Sequence, residues 1–409
     1  MKKISFILML FFLINSMSIL AQEVIKDKGV FISPKNDFYE EIKKGIEEFN
    51  KKEKKERKVF KVDFTGMNLP KSADEFTTYW HNEPISQGIT GTCWSFSTTS
   101  MLESEVYRIH KEKVKLSELW TAYWEFVEKA RGYVQSRGET FFGEGSQSNA
   151  VYRIIKQYGV VPLDAYNGML PGQKFHDHSK MFDEMTKYLE SVKASNAWSE
   201  ETVLNTIKSI LNHYIGTPPE KVTINGKDYT PKEYFSKFVK LNLDDYVEFL
   251  SLMQQPYYEK VEYEVPDNWW HNKDYYNIPL DEFMSILKKS IRNGYSICIG
   301  GDVSEAGMES KAEVAIIPTF DIPSEYIDEH SRQFRFSNKT TEDDHGIHMV
   351  GYTEKDGKDW YLIKDSGAGA HNGANKGYYF YHEDFVKLKM LSFTIHKDAV
   401  KDILAKFNK

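Results

Sequence analysis

The sequence predicts an α+β protein in which helices dominate the N-terminal and middle parts and strands dominate the C-terminal part. Two observations support this prediction. The segments 94–108 and 281–293 place apolar residues at helical spacing, so each forms one apolar face. From Tyr295 onward the apolar residues alternate with a period of two, which is typical of strands.

The predicted elements can be placed along the chain in more detail. A helix is predicted over Asn149–Tyr158, ended by Gly159. Residues 176–290 are expected to be mainly helical, with a capping box at Thr230-Pro-Lys-Glu233. Short strands at regular spacing predict an antiparallel barrel or half-barrel after residue 290. The predicted strands are Tyr295–Asp302, Gly346–Tyr352, Trp360–Lys364 and Tyr378–Tyr381.

The N-terminus has the pattern of a secretory signal peptide, predicted here as residues 1–21. A basic start at Met1-Lys-Lys3 precedes the apolar run Ile4–Leu20, and Ala21 suits a cleavage site. We therefore expect an exported protein, periplasmic or secreted, without a membrane anchor after cleavage. Residues 22–75 form an N-terminal extension, with a solvated amphipathic helix over Phe38–Arg57 and a strand over Val59–Phe64. The sequence leaves open whether this extension is an inhibitory prosegment or an integral arm.

Composition and charge exclude several classes of function. The chain has 409 residues and a formal net charge of −7, which argues against a nucleic-acid surface. No cluster of ligands occurs at a recognised metal spacing, and no cofactor is predicted. Of the two cysteines, Cys298 lies in an apolar run and is predicted to be a core strand residue that does not pair with Cys93.

The segment Gln87-Gly-Ile-Thr-Gly-Thr-Cys93-Trp94 joins a turn to the first predicted helix. Thr92 can cap that helix, which places Cys93 in its first turn, where the helix dipole favours a thiolate. The amide of Gln87 and the backbone N–H of Cys93 would then form an oxyanion hole. The alternative is that Cys93 is a small buried hydrophobic residue.

This segment resembles the Q-G-x-x-G-x-C-W-[SA]-F run of papain-like cysteine peptidases, a family whose cysteine signature is well known. Asp344-His345-Gly-Ile-His348 resembles the strand that carries the family's histidine, so the resemblance implies that His345 is the catalytic base. His348 lies an odd number of positions away, points to the other face of a strand, and is assigned a structural role.

Lys364-Asp365-Ser-Gly367 occupies the place of the family's K-N-S-W-G. The resemblance implies that Asp365 orients His345 where the family usually has asparagine. A carboxylate stabilises the charged imidazole more strongly than an amide does. The family's tryptophan is absent after Ser366, so we expect Asp365 to be more solvated than its counterpart. The alternative is a loop carboxylate that starts a turn.

A predicted substrate-binding loop follows the first helices. The sequence Glu144-Gly-Ser-Gln147 resembles the family's Gly-Gly turn, whose backbone pairs with extended substrate. The resemblance implies that Gly145 and Ser146, together with Trp94, bind substrate. An ordinary glycine turn is the alternative.

Motifs beyond the catalytic segments resemble the bleomycin hydrolase, or aminopeptidase C, branch of the family. The resemblance implies a left domain over residues 76–175, a helical insertion over 176–290, and a right β domain over 291–409, with the site between the left and right domains. It also implies aminopeptidase activity on peptides and a homo-hexameric cage. The motifs are Tyr158-Gly-Val-Val-Pro162, Tyr229-Thr-Pro-Lys-Glu-Tyr-Phe235, Leu243-Asp-Asp-Tyr-Val247, Asn277-Ile-Pro-Leu-Asp-Glu-Phe283 and Ser290–Val303.

Two alternatives to an aminopeptidase follow from departures in this chain. Family members have a long C-terminal arm that lies in the cleft and restricts cleavage, whereas only four residues follow Ala405 here. A cysteine endopeptidase is therefore the first alternative. The loss of the tryptophan and the Asn-to-Asp change suggest the second, a non-catalytic binding protein on a degenerate peptidase fold.

Overall fold

The structure, a computed structural model, describes residues 36–50 and 58–408. It comprises two compact units, Met1–Val59 and Phe60–Lys409. The predicted signal peptide and the last part of the predicted Phe38–Arg57 helix lie outside the described residues. Within the part of the chain that the structure describes, no helix combines the length and apolar character needed to cross a membrane.

The described part of the first unit is mainly one helix, α1, over Asp37–Asn50. All its side chains are exposed, including the apolar stripe Ile42, Ile46 and Phe49, as expected for a solvated helix. The strand predicted over Val59–Phe64 is wrong. This segment pairs with no strand. The N–H of Val62 donates to the carbonyl of Ala306 at 3.2 Å.

The second unit begins with helices and ends in strands, as predicted. The helix expected over Asn149–Tyr158 spans Ser148–Tyr158, and the helix expected over 281–293 spans Leu280–Arg292. Thr230 and Glu233 form the predicted capping box, but the α-helix that they open is a single turn. A π-helical segment, Phe235–Val239, continues it. The helices are α2 Cys93–His110, α3 Glu118–Gln135, α4 Ser148–Tyr158, α5 Ser179–Ala194, α6 Glu200–Ile215, α7 Pro231–Tyr234, α8 Leu280–Arg292, α9 Glu329–Ser337, α10 Glu383–Lys389 and α11 Lys401–Leu404.

The strands form one eleven-stranded sheet and a separate hairpin of β2 with β3. They are β1 Thr77–Thr78, β2 Val222–Ile224, β3 Lys227–Tyr229, β4 Tyr246–Leu250, β5 Lys260–Val261, β6 Tyr275–Asn277, β7 Ile297–Gly301, β8 Met308–Glu309, β9 Val314–Ala315, β10 His345–Lys355, β11 Lys358–Lys364, β12 Tyr378–His382 and β13 Met390–His396. The order in the large sheet is β5-β6-β4-β13-β7-β10-β11-β12-β9-β8, and β1 also pairs with β10.

The α+β class is therefore confirmed, but the antiparallel barrel-like detail is not. Most pairs are antiparallel, yet β4 pairs with β6 and β9 pairs with β12 in parallel. Five strands, β2 to β6, come from residues 176–290, which we expected to be mainly helical. Of these, β4 to β6 join the large sheet through β13, where Phe393 stands opposite Phe249. The long helices of this segment, α5 and α6, lie in its first half.

Two large cores position the site. One is built mainly from α2 to α6, and the other fills the opposite side of β7, β10 and β13. Cys298 in β7 belongs to the helical core and is 1% exposed, so its predicted role as a core strand residue is confirmed. Helix α2 thus packs across β7 and β10, and this contact brings its first residue to the start of β10.

Candidate active site

Cys93 is the first residue of α2, and its thiol is half-buried and unpaired. Thr92 is the N-cap residue as predicted, but its side chain caps no helix N–H. The predicted capping bond is wrong because the hydroxyl of Thr92 instead pairs with that of Thr90 at 2.6 Å. The first turn nevertheless keeps Cys93 at the positive end of an 18-residue helix.

His345, the first residue of β10, lines the same pocket as Cys93 and lies close enough for the two groups to interact electrostatically. The glycine that follows makes this approach feasible. A Cβ on Gly346 would lie 3.4 Å from the Cα of Trp94 and 3.1 Å from the Oγ of Ser97, so the strand runs close against the helix. The other side of the imidazole is held by Asp365, whose Oδ1 lies 2.8 Å from Nε2 of His345.

The electrostatics of this cluster favour a charged imidazole. Burial alone would lower the pKa of His345, but the charge of Asp365 and the interaction with Cys93 outweigh it and raise the pKa well above its ordinary value. Burial would raise the pKa of Asp365, but His345 and the N–H of Gly367, 2.7 Å from Oδ1, lower it. Asp365 and His345 therefore form an ion pair at neutral pH.

The expectation that Asp365 is solvated is wrong, because this residue is only 3% exposed. The loop after it folds back over the carboxylate. The N–H of Asp365 donates to the carbonyl of Gly377 at 2.9 Å, and the N–H of Gly377 donates to the carbonyl of Ala370 at 2.8 Å. The buried rings of Tyr379 and Tyr381 lie near enough for the charge of Asp365 to act on them. Together these contacts exclude water without the family's tryptophan.

His348 lies farther along β10 and contacts a different part of helix α2. It is fully buried, and its Nδ1 lies 2.9 Å from the hydroxyl of Ser100, two turns along α2 from Cys93. Burial lowers the pKa of His348 well below its ordinary value, so the ring is neutral. The structure thus brings His345, and not His348, to the sulfur.

Gln87 is buried and held from both ends of its amide. Its Nε2 donates to the carbonyl of Thr90 at 2.6 Å, and its Oε1 accepts from the hydroxyl of Ser366 at 2.6 Å. The backbone of Gln87 also donates to the carbonyl of Ser366 at 2.9 Å. One amide hydrogen is therefore engaged and one is left. Sequence reasoning missed the role of Ser366, although it quoted this residue within the Lys364–Gly367 motif.

The predicted substrate-binding residues use their side chains for structure. The indole of Trp94 donates to the carbonyl of Glu144 at 3.2 Å, and the hydroxyl of Ser146 donates to Glu125 at 2.8 Å. The carbonyl of Gly145 accepts from Lys129. Trp94 and Ser146 line the pocket that contains Cys93 and His345.

The same pocket has acidic walls that sequence reasoning missed. Asp267, Asp343 and Asp344 line it together with Cys93 and His345. Asp344 belongs to the motif quoted for His345, but nothing in the sequence analysis pointed to Asp343 or Asp267. Among residues 36–50 and 58–408 no group of three or more His, Cys, Asp or Glu side chains is arranged to hold a metal ion.

The arrangement of a helix-start thiol, an imidazole and a buried carboxylate agrees with the comparison to known families. Residues 133–409 match the Peptidase C1-like family. The chain belongs to this family. The match contains His345 and Asp365 and begins after Cys93.

The curated relatives of this papain-like cysteine peptidase confirm the predicted aminopeptidase C branch. Aminopeptidase C of Lactobacillus helveticus is 22% identical over 376 residues, which cover 79% of this chain and 81% of the relative. Aminopeptidase C of Streptococcus thermophilus is 23% identical over 275 residues, or 57% of this chain and 62% of the relative. The alignment thus spans less than two thirds of the Streptococcus protein.

A solved structure shares the fold. The crystal structure of PepW from Lactobacillus rhamnosis HN001 superposes with a TM-score of 0.63 at 18% identity. The superposition covers 81% of this chain and 84% of that chain. The papain-like fold predicted from the sequence is confirmed by this likeness.

Proposed function

We propose that this chain is an exported cysteine aminopeptidase that hydrolyses peptide bonds through Cys93, His345 and Asp365. One observation supports the proposal above all: the imidazole of His345 pairs with the carboxylate of Asp365 at 2.8 Å and lines one pocket with the thiol of Cys93. A thiolate–imidazolium pair is the form in which a thiol attacks a carbonyl at neutral pH.

The reaction follows from the proton positions. The thiolate of Cys93 adds to the scissile carbonyl carbon, and His345 gives its proton to the leaving amine as the C–N bond breaks. Nε2 of His345 is engaged by Asp365, so Nδ1 faces the sulfur and handles this proton. His345 then takes a proton from water, which hydrolyses the thioester and frees Cys93.

The oxyanion formed at each step needs hydrogen-bond donors that are already in position. The backbone N–H of Cys93 is one candidate, and the second amide hydrogen of Gln87 is the other. Ser366 fixes the orientation of this amide because its hydroxyl holds Oε1. Gln87 would then contribute a donor without rearranging during the reaction.

The test compares Cys93→Ala with Cys298→Ser, which changes the other thiol of the chain. Both variants and the wild type are incubated with a free peptide and its N-acetylated copy, and products are identified by mass spectrometry. We expect stepwise release of N-terminal residues from the free peptide, lost only in Cys93→Ala. Cleavage of the acetylated peptide would favour an endopeptidase, and no Cys93-dependent product from either peptide would favour a non-catalytic binding protein.

Export and assembly are proposals of the same kind. Export is supported by the signal-peptide pattern of residues 1–21. Fractionation of the producing cells, with detection of a mature N-terminus near Gln22, tests it. A homo-hexamer is supported by resemblance to the family, and light scattering coupled to size-exclusion chromatography tests it.

A further inference from the structure

The pocket beside Cys93 has two carboxylates that the proposed chemistry does not use. Asp343 lies two residues before His345, and Asp267 comes from the segment between β5 and β6. Two distant parts of the chain therefore bring acidic groups to the cleft in which Cys93 would attack a substrate.

The negative charge of these two groups is poorly compensated by the nearest cations. Lys129 influences Asp267, but its Nζ donates to the carbonyls of Gly143 and Gly145. Arg332 lies near the neighbouring Tyr263, but its Nε and Nη1 donate to backbone carbonyls at 2.9 Å each. In the part of the chain that the structure describes, neither cation forms an ion pair with Asp267 or Asp343, so a further cation in the cleft would be attracted.

The ionisation of Asp343 and Asp267 is correspondingly unfavourable. Burial, with the charges of Asp267 and Asp344, raises the pKa of Asp343 to about 7, although Gln147 donates a hydrogen bond to it. Burial also raises the pKa of Asp267. A bound positive charge would relieve the repulsion and keep both groups ionised.

A buried phenol lies next to the two carboxylates. Tyr263 is fully buried, and its hydroxyl finds no hydrogen-bond partner within the described ranges of the chain. Asp343 and Asp267 both lie near enough to influence this phenol. Buried polar groups are rarely left without a partner in folded proteins, and this phenol interacts with Asp343, whose pKa it helps to lower.

The substrate-binding loop is shaped around one of these acids. A Cβ on Gly145 would lie only 2.0 Å from Oδ2 of Asp267, so the absence of a side chain lets the carboxylate lie directly against the loop. The next residue, Ser146, lines the pocket with Cys93. Asp267 is therefore adjacent to the path that a peptide backbone would take past the nucleophile.

We infer that Asp267 and Asp343 form a subsite that binds a cationic nitrogen group of the substrate close to the scissile bond. The group is either the α-ammonium of a free N-terminus or the side chain of a lysine or arginine. The inference rests on the proposed peptidase function and adds the feature of the substrate that this cleft selects. Asp267 and Asp343 would thus determine which substrates bind, without taking part in the proton transfers of the reaction.

Three coumarin-amide substrates with alanine at the cleaved bond distinguish the two sources. Alanyl-coumarin has a free α-ammonium, acetyl-lysyl-alanyl-coumarin has a side-chain cation, and acetyl-norleucyl-alanyl-coumarin has neither. We compare kcat/KM for the wild type, Asp267→Asn, Asp343→Asn, and Asp164→Asn, a control at an exposed aspartate. We expect at least one cationic substrate to lose about tenfold or more in both cleft variants, as for a lost charged hydrogen bond.

The substrate that loses activity identifies the source of the cation. Loss confined to alanyl-coumarin assigns the α-ammonium, and loss confined to the lysyl substrate assigns the side chain. The neutral substrate and the control variant should change by less than about twofold. The inference is overturned if neither cationic substrate is affected, or if all three substrates lose activity equally.

A second readout does not depend on peptidase activity. Cys93 is labelled with aminoethyl methanethiosulfonate, which is cationic, or with methyl methanethiosulfonate, which is neutral, and the labelled peptide is identified by mass spectrometry. The ratio of cationic to neutral labelling rates should fall severalfold in Asp343→Asn. A lowered ratio without cleavage of any substrate would retain the acidic subsite and reject the peptidase, whereas an unchanged ratio would reject the subsite.

Discussion

Asp365 is the residue at which this chain departs most from the usual pattern of its family. It pairs with His345 at 2.8 Å while only 3% exposed, so its charge acts on the imidazole with little screening by solvent. The chain thus combines a charged partner of His345 with a glycine, Gly367, directly after Ser366, where the resembled pattern has tryptophan. The loop between Asp365 and Gly377 covers the carboxylate and excludes solvent from it.

The first residue-scale prediction concerns Asp365→Asn. Because the Asp365 charge raises the pKa of His345, its removal should lower that pKa and shift the alkaline limb of kcat/KM to lower pH by about 1 to 3 units. The limb marks loss of the imidazolium proton, so the direction is fixed. Asp356→Asn, at an exposed loop aspartate, serves as the control. An alkaline limb that stays in place or rises would contradict the ion pair.

Strand β10 is the element that decides which histidine meets the thiol. Gly346 and His348 face α2, whereas Ile347 and Met349 lie in the core on the other side. His345 stands at the very start of the strand, next to the first turn of α2. The alternation of a strand separates the two rings, and the end of the strand lets only one of them reach Cys93.

Substitution of the two histidines should therefore have opposite consequences. His345→Ala should lower kcat by about a hundredfold or more while the protein stays folded. His348→Ala should lower the free energy of unfolding by roughly 2 to 4 kcal/mol, since it empties a buried site and leaves Ser100 without its partner. Kinetics of the folded fraction and urea denaturation measure the two effects. Loss of stability in His345→Ala and loss of activity in folded His348→Ala would instead make His348 the catalytic base and His345 the structural residue.

At the scale of the whole molecule, the helical core and the sheet meet at buried polar groups. Glu248 in β4 is 7% exposed, and burial raises its pKa to about 8. It lies near Tyr152 of α4, whose ring stacks on Tyr246 at 5.6 Å. Because the Glu248 carboxyl is neutral in the folded protein and ionised in the unfolded chain near neutral pH, the stability of the protein depends on pH.

This linkage gives a stability prediction with a definite sign. Glu248 binds its proton more tightly in the folded state than in the unfolded state, so its contribution to stability falls as pH rises from about 4.5 to about 8. The free energy of unfolding of the wild type, relative to Glu248→Gln, should drop by more than about 1 kcal/mol across this window. Denaturation at pH 5 and pH 8 measures it. Glu354→Gln, at an exposed glutamate of β10, should show no such change.

The sequence alone determined the parts of this protein that depend on short stretches of chain. The helix that begins at Cys93, the strand that begins at His345 and the capping box at Thr230 are each specified by neighbouring residues. Periodicity, capping and a local motif act over one or two turns, so they can be read without knowing how the chain packs. The α+β class and the family resemblance follow from the order of these segments.

The tertiary structure alone decided which distant segments touch. It placed Asp267 in the pocket of Cys93, joined β4 to β6 to the main sheet, and buried Asp365 under the loop to Gly377. It also diverted the hydroxyl of Thr92 from capping to a contact with Thr90. Burial and pairing between residues far apart in sequence depend on the packing of whole layers, which local residue patterns do not specify.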